Sequence, residues 1–337
     1  MRTLEILPKN PISATVDFDA MGVQHGHLCL PASRDDSAWG NVMIPVCVIA
    51  NGEGPTALLT GGNHGDEYEG PIALNGLARE TRVEDVSGRI IIVPAMNMPA
   101  FEAGRRTSPL DGGNLNRAFP GRPAGPPTEK IADYFSRTLL PMADYVLDFH
   151  SGGRTLDFLP FAACHALEDK TQERAARAAV AAFGAPYSMV MVEMDPAGLY
   201  DTEAERQGKV FVTTELGGGG TATPWTIGIA RRGVRNLLRH AGILAGEAEP
   251  AVSEALVMPD DCFVMATDRG VAAYRVELGT VLSKGDPIVD IWPMGRTGIP
   301  PVTLTAPIDG IFLARHVAGL IRPGDCAAVL AVRDEGI

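Results

Sequence analysis

Between residues 40 and 245, apolar runs of strand length alternate with stretches in which apolar positions recur at helical spacing. Alternating strands and helices are typical of an α/β layer arrangement, so we expect a sheet covered by helices. The predicted strands are 42–50, 56–61, 89–94, 145–150 and 209–215, with a further candidate at 188–193. The predicted helices are 71–79, 128–141, 167–183 and 225–245.

After residue 247 the pattern changes to short β-like runs separated by Gly-Asp and Pro-Gly turns, without helical periodicity. Such runs predict a small all-β domain, a barrel or a sandwich. We therefore expect an α/β domain at 1–247 and a β-domain at 248–337. Residues 1–40 are interpreted as an N-terminal β extension that packs on the C-terminal domain. The β-like runs lie at 262–266, 270–275, 287–292, 302–306, 310–313 and 327–332.

Two turns of the C-terminal region, at 306–310 and 321–325, resemble those of lipoyl or biotinyl carrier domains. A carrier needs a lysine in an exposed hairpin, where the cofactor is attached. The only lysine after residue 247 is Lys284, which lies in one of the Gly-Asp turns. A lid or an oligomerisation surface is therefore the favoured role for this region, and we expect a homo-oligomer.

Composition and charge limit the classes of partner and the cellular compartment that we expect for the chain. It has 337 residues and a formal net charge of −12, which argues against nonspecific binding to polyanionic nucleic acids or membranes. Neither a signal-peptide core nor an apolar run of about 20 residues occurs, which favours a cytoplasmic protein. The five cysteines are scattered in mostly apolar sequence, as expected for buried thiols in a reducing compartment.

The segment 61–67 reads Gly-Gly-Asn-His-Gly-Asp-Glu and directly follows a predicted strand. His64 and Glu67 can turn an imidazole nitrogen and a carboxylate toward one point, which supplies two ligands of a three-ligand catalytic zinc site. The spacing alone is a weak signal, since two residue types recur by chance in many chains. Its meaning depends on a third ligand, a base and a substrate-binding group elsewhere.

His150 is the candidate third ligand. It ends the strand-like run 145–150, and side chains at strand ends in open α/β sheets point into the crevice where ligands bind. Asp148 shares its strand face and is placed to bind an imidazole N–H. A simple hydrogen-bonded histidine at a strand end is the alternative. Surface or structural roles are expected for the other histidines, His25, His27, His165, His240 and His316.

The long loop 98–127 carries three arginines and two asparagines between residues 105 and 117. An Asn-Arg pair such as Asn116 and Arg117 suits a substrate carboxylate, because the guanidinium fork binds both oxygens and the amide adds a hydrogen bond. A further arginine of this loop is suited to stabilise an oxyanion. The alternative is a solvated basic loop whose arginines pair with surface acids.

Glu215 is the candidate base. It ends the apolar strand 209–215 and precedes four glycines, where a carboxylate is costly unless it has a purpose. Beside a metal site it would take a proton from water and deliver it to the leaving amine. The alternative is a carboxylate that caps the N–H groups of the tetraglycine loop.

The order His-x-x-Glu, Asn-Leu-Asn-Arg, Asp-Phe-His-Ser and a strand-ending Glu resembles the succinylglutamate desuccinylase/aspartoacylase family, a branch of the zinc carboxypeptidase-like hydrolases. The resemblance covers roughly residues 40–240, and the C-terminal β-domain resembles the appended domain of that family. It implies a zinc carboxypeptidase-like mixed sheet flanked by helices. It also assigns one zinc ion per chain to three ligands, His64, Glu67 and His150.

The same resemblance gives roles to the remaining candidates. Glu215 corresponds to the general base that activates the attacking water, and Asn116 with Arg117 matches the pair that binds the substrate carboxylate. Arg106 corresponds to the arginine that polarises the carbonyl. The loop differs in length from that of aspartoacylase, so Arg105 stays an alternative.

The implied activity is zinc-dependent removal of an acyl group from a small anionic N-acyl amino acid. Residues 213–220 and the chain length are most similar to N-α-acetyl-L-2,4-diaminobutyrate deacetylases of ectoine breakdown. For such a substrate Glu193 or Asp195 is a candidate to bind the ammonium group. The alternatives are a deacylase of another N-acyl amino acid, a metallocarboxypeptidase and a non-catalytic zinc- or ligand-binding protein.

Overall fold

A computed structural model describes residues 8–191 and 197–334, which form 19 strands and seven α-helices. The α-helices are α1 (Glu69–Glu80), α2 (Met98–Glu102), α3 (Pro127–Tyr134), α4 (Leu140–Met142), α5 (Lys170–Phe183), α6 (Tyr200–Arg206) and α7 (Pro224–His240). Two 3-10 turns and one π-helical turn lie at Val83–Asp85, Leu115–Arg117 and Phe135–Leu139.

Most strands join one large sheet, and four of the C-terminal strands form a smaller one. The strands of the first 250 residues are β1 (Ser13–Ala14), β2 (Gly22–Arg34), β3 (Ser37–Asn51), β4 (Thr56–Thr60), β5 (Gly88–Val93), β6 (Tyr145–Asp148), β7 (Leu156–Phe158), β8 (Phe161–His165), β9 (Tyr187–Met191) and β10 (Val210–Glu215). The later strands are β11 (Glu254–Val257), β12 (Phe263–Met265), β13 (Gly270–Tyr274), β14 (Val281–Leu282), β15 (Pro287–Trp292), β16 (Val302–Thr305), β17 (Gly310–His316), β18 (Leu320–Ile321) and β19 (Cys326–Arg333).

Four parallel strands, in the order β5, β4, β6 and β10, form the centre of the large sheet. Every residue of β4 is buried, as in a strand covered on both faces. Ala57 and Leu59 pack with helices α1, α5 and α7, whereas Leu58 packs on the opposite face with α3 and the π-helical turn. The flanking strands β3 and β8 run antiparallel to their central neighbours. The predicted mixed sheet flanked by helices is therefore confirmed.

Capping residues determine where helices α5 and α7 begin. α5 begins at Lys170 rather than 167, because the Asp169 side chain accepts hydrogen bonds from the next amides along the chain, Thr171 N and Gln172 N. α7 begins after a capping box between Thr223 and Thr226, and it ends at His240 instead of continuing to 245. Within the described residues no helix is both long and apolar enough to cross a membrane.

The C-terminal region is all-β, as predicted, and it continues the large sheet. β11 pairs with β9 in parallel and with β19 in antiparallel orientation, while β17 pairs with β7. The second sheet, in the order β16, β15, β13 and β18, packs over a core that contains Ile288, Phe312 and Leu330. The boundary at 247 stays a prediction, although backbone hydrogen bonds join the two regions.

The N-terminal segment lies elsewhere than predicted. Of residues 1–40, the described part forms a hairpin in which β2 pairs with β3, at the far side of the large sheet from β11 and β19. Leu28 and Leu30 pack with Ile44 and Ile131 in the core below α3. The expected packing on the C-terminal domain is therefore wrong, because the apolar face of β2 is buried by the α/β core.

Candidate active site

The two halves of the candidate metal site come from adjacent parallel strands. β4 leads into the segment 61–67, and β6 leads into His150, with Thr60 and Asp148 paired across the two strands. Both segments therefore leave the sheet at the same edge. One ligand atom from each of His64, Glu67 and His150 lies within 4.8 Å of the others, and all three residues are buried.

Glu67 bridges the two imidazoles. Its Oε1 lies 2.8 Å from His64 Nδ1, and its Oε2 lies 3.0 Å from His150 Nδ1. The backbone amide of Ser151 also donates to Oε2 at 3.2 Å. Two imidazole nitrogens thus converge on one carboxylate in a site that water hardly reaches.

The outer imidazole nitrogens face acceptors. His150 Nε2 lies 2.9 Å from Asp148 Oδ2, and His64 Nε2 lies 3.2 Å from Asn114 Oδ1. The Asn116 backbone amide donates to the same Asn114 oxygen, which fixes the orientation of that side-chain amide. Each Nε2 is therefore placed to donate a hydrogen, and in the neutral imidazole each Nδ1 then directs its lone pair at Glu67. Three acceptor groups facing one another require a proton or a metal cation between them.

Charge and burial act together on these groups. Burial lowers the pKa of His64. Burial works to raise the pKa of Glu67, but the adjacent His64 and His150 outweigh it and hold that pKa well below its usual range. Burial also opposes a charge on His150, yet Asp148 and Glu67 raise its pKa well above the usual value. Glu67 is therefore anionic, and the cluster favours a cation.

The loop that follows α2 brings Arg106 into this cluster. Gly65 N donates to Arg105 O at 2.9 Å, and a Cβ on Gly65 would lie 2.0 Å from the Ala100 backbone. Only a glycine permits this approach. Arg106 Nη1 lies 3.3 Å from His64 Nδ1 and 3.8 Å from Glu67 Oε1. Arg106 therefore reaches the cluster with its side chain, whereas Arg105 contacts this segment through its backbone carbonyl.

Asn116 and Arg117 belong to the 3-10 turn of the same loop. Asn116 Oδ1 accepts hydrogen bonds from Asn63 Nδ2 at 3.2 Å and from Tyr200 N at 3.3 Å, which leaves its Nδ2 as a donor. Gly198 packs against the backbone of Arg117, where a Cβ would lie 2.4 Å from Arg117 O. The backbone of Arg117 is thus fixed, and its exposed side chain donates from Nη1 to Asn116 O at 2.8 Å.

Glu215 ends β10, beside β6 in the sheet. Its Oε2 is buried and has no hydrogen-bond partner among the described residues. Burial, reinforced by the charge of Glu67, raises the pKa of Glu215 to about 8. In the loop that follows, Gly219 N and Gly220 N donate to backbone carbonyls, so those amides do not bind the carboxylate.

These groups line one cavity of about 410 Å³. Its wall includes all seven predicted site residues, namely His64, Glu67, Arg106, Asn116, Arg117, His150 and Glu215. The C-terminal region supplies an apolar part of the wall through Met258, Phe263, Cys326 and Val329. A buried cation-attracting cluster, a raised carboxyl pKa and an Asn-Arg pair therefore share one pocket.

Residues 53–241 match the succinylglutamate desuccinylase/aspartoacylase catalytic domain. The chain belongs to this family. It is 57% identical to the N-α-acetyl-L-2,4-diaminobutyric acid deacetylase of Halomonas elongata, over 96% of this chain and 95% of the relative.

Solved structures of the family cover nearly the whole chain. The product-bound ectoine utilisation protein EutE (DoeB) of Ruegeria pomeroyi is 60% identical, with a TM-score of 0.95 over 96% of this chain and 100% of that one. A succinylglutamate desuccinylase of Silicibacter sp. TM1040 is 57% identical, with a TM-score of 0.96 over 97% and 100%. The sequence prediction of the family is confirmed.

This family member has site residues that the sequence did not reveal. Asn63 and Asn114 bind other site groups, and no local pattern showed which way their amides point. His165, expected to be a surface or structural residue, is buried in the cavity wall, where its Nδ1 lies 3.0 Å from Glu205 Oε2 and its Nε2 lies 4.0 Å from Asp201 Oδ2. The sequence signal for His165 is its position at the end of β8, because β8 pairs with β10, the strand that carries Glu215. Glu193 and Asp195 lie outside the described residues.

Proposed function

We propose that this protein is a zinc-dependent deacetylase that hydrolyses N-α-acetyl-L-2,4-diaminobutyrate to acetate and L-2,4-diaminobutyrate. The observation that carries the proposal is the Glu215 carboxyl, whose Oε2 has no hydrogen-bond partner among the described residues, in the same cavity as the His64–Glu67–His150 cluster. Similarity to the Halomonas deacetylase over almost the full length of both chains supports the choice of substrate.

Two imidazoles and one carboxylate form a ligand set that suits catalytic zinc. His64 and His150 would bind it through Nδ1, because their Nε2 atoms already face Asn114 and Asp148. Glu67 would supply the carboxylate oxygen, for one zinc ion per chain. When bound, zinc supplies Lewis-acid polarisation of the amide carbonyl and of the attacking water.

The Asn116–Arg117 pair would bind the α-carboxylate of the substrate. The Arg117 guanidinium matches both carboxylate oxygens, and Asn116 Nδ2 adds a third donor. With the carboxylate held there, the scissile carbonyl comes near Arg106, whose Nη1 already reaches the metal-ligand cluster. Arg106 would stabilise the negative charge that develops on the carbonyl oxygen.

Glu215 would carry the proton. It accepts one proton from the attacking water and delivers it to the amine nitrogen as the C–N bond breaks. The products are acetate and the free α-amine of diaminobutyrate.

Asp201 is our candidate partner for the side-chain ammonium of the substrate. It lines the same cavity, and its Oδ2 lies 4.0 Å from His165 Nε2. The cavity would then offer cationic and amide donors to the α-carboxylate and an acidic group to the ammonium. This pairing would separate the proposed substrate from N-acyl amino acids without a second amine.

The test is a comparison of substrates with the zinc-loaded protein. N-α-acetyl-2,4-diaminobutyrate, N-acetylaspartate, N-succinylglutamate and a dipeptide are supplied separately, and released amine and acid are measured. The first should be hydrolysed with the highest kcat/KM. Preference for N-acetylaspartate or N-succinylglutamate would assign a different deacylase, and preference for the dipeptide a carboxypeptidase. Zinc binding without any hydrolysis would overturn the enzyme proposal.

A further inference from the structure

Asn63 lies behind the active site, between the metal-ligand cluster and the Asn116–Arg117 pair. It is fully buried. Its Nδ2 donates to Asp148 Oδ2 at 2.9 Å and to Asn116 Oδ1 at 3.2 Å. One side-chain amide nitrogen therefore binds both a partner of His150 and a candidate substrate-binding residue.

The orientation of the Asn63 amide is fixed by its neighbours. Asp148 Oδ2 and Asn116 Oδ1 both accept hydrogen bonds, so rotating the amide would place Asn63 Oδ1 against two oxygens. In the observed orientation Oδ1 is buried and has no hydrogen-bond partner among the described residues. The two N–H groups are thus directed to their partners while the acceptor of the same group stays unsatisfied.

Other buried asparagines of this chain send their amide donors to backbone carbonyls. Asn236 in α7 is equally buried, yet it donates to Glu249 O at 2.9 Å and accepts from Glu249 N at 2.8 Å. Both ends of its amide are satisfied, as expected where hydrogen bonding only joins two segments. Asn97 shares the unsatisfied Oδ1 of Asn63, but its Nδ2 donates to a backbone carbonyl, that of Asn63 itself. What distinguishes Asn63 is that its donors bind two side chains of the site.

We propose that Asn63 is a positioning residue that couples the substrate-carboxylate pair to the orientation of His150. Toward the metal site, Asn63 holds Asp148 together with Thr60, whose Oγ1 donates to Asp148 Oδ1 at 2.7 Å. Asp148 in turn keeps the His150 hydrogen on Nε2. Toward the substrate, Asn63 holds Asn116 Oδ1 so that Asn116 Nδ2 stays available. The substrate side of this coupling rests on the proposed function.

The test uses Asn63→Leu, which keeps a similar volume and removes both donors, with Asn236→Leu as the matched buried control. Zinc affinity of the metal-free protein is measured by competition with a chelator, and stability by thermal unfolding. Asn63→Leu should weaken zinc binding by about tenfold, the lower range for a residue that orients a ligand. Asn236→Leu should lower the melting temperature and leave zinc affinity unchanged. If Asn63→Leu does not fold, Asn63→Ala replaces it in the same measurements.

A double-mutant cycle with Asn116→Ala tests the substrate side. Each single substitution should raise KM, and the double variant should be no worse than about the more damaging single one. The proposal would be overturned if the KM increases of the two single variants multiplied in the double variant and Asn63→Leu bound zinc with wild-type affinity. If the wild-type protein hydrolyses no N-acyl amino acid, the proposed function fails by itself. The zinc measurement and calorimetric binding of 2,4-diaminobutyrate then still decide the role of Asn63.

Discussion

Asp148 Oδ2 lies 2.9 Å from His150 Nε2, two residues further along the chain from the end of β6. The strand period of two places both side chains on one face, so this pair needs no long-range packing to form. The contact fixes the nitrogen that carries the hydrogen and turns the other nitrogen toward Glu67. A residue only two positions away in the sequence therefore selects which imidazole nitrogen of His150 is available to a metal ion.

Replacing Asp148 should therefore weaken the metal site without removing a ligand. In Asp148→Asn the neutral amide supports the Nε2 hydrogen less strongly, and we expect a loss of zinc affinity of about 10- to 100-fold. Chelator competition measures this loss. Asp290→Asn is the control, because Asp290 pairs with Arg275 and Thr303 in the second sheet. Unchanged zinc affinity in Asp148→Asn would contradict the inferred orienting role.

Glu215→Gln should reduce turnover and leave the metal site intact. The amide cannot accept the proton, so kcat is expected to fall by about 10²- to 10⁴-fold. Zinc content by elemental analysis should equal that of the wild-type protein, because Glu215 is outside the predicted ligand set. A variant with full activity would exclude Glu215 as the base.

Arg117→Ala should raise KM for the N-acetylated substrate by about 10- to 150-fold, the range for one charge-assisted hydrogen-bonding group. Steady-state kinetics measure this change, and zinc content should stay the same. Arg122→Ala is the matched control from the same loop, since Arg122 is exposed and pairs with Glu129. Equal effects of the two substitutions would argue for a general electrostatic influence of the loop.

Asp201→Asn should act on substrate choice. If Asp201 binds the side-chain ammonium, the variant loses kcat/KM for N-α-acetyl-2,4-diaminobutyrate but not for N-acetyl-2-aminobutyrate, which lacks that group. The ratio of the two kcat/KM values should fall by about tenfold or more. An equal decrease for both substrates would place the ammonium elsewhere.

Two glycines of α7 should respond in opposite directions to alanine. At Gly233 a Cβ would lie 2.3 Å from the Phe183 ring, so Gly233→Ala should destabilise the fold by about 1–3 kcal/mol. At Gly228 nothing lies within 4 Å, and Gly228→Ala should stabilise by about 0.5–1 kcal/mol through helix propensity. Urea unfolding of both variants measures the difference. Destabilisation by Gly228→Ala would show that the exposed face of α7 has a partner.

The central fold was accessible from sequence because its signals are local. Strands such as β4 are continuous apolar runs, and the amphipathic helix α1 begins within two residues of its prediction. The strand β2 was predicted only as part of an N-terminal β extension without bounds, since Gly26 and Pro31 interrupt its alternation. The two-turn helix α6 also escaped prediction, because a short helix of mostly polar residues has little periodicity.

The predicted site residues come together because the strand ends that carry them meet at one edge of the sheet. The positions of His150 and Glu215 in the site can be predicted from that rule alone. Asn63 and Asn114 do not, because the direction of a loop amide depends on partners far away in the chain. The sequence therefore predicts which groups meet, while the hydrogen bonds that orient them require the three-dimensional structure.

The pairing of β11 with β9 and of β17 with β7 has a consequence for protein engineering. A fragment cut near residue 247 would lose the strands that cover both of these edges, and unpaired strand edges promote aggregation. It would also lose one apolar side of the cavity. The catalytic region is therefore not a module that can be grafted or expressed alone, and truncation should yield insoluble protein rather than a broader-specificity hydrolase.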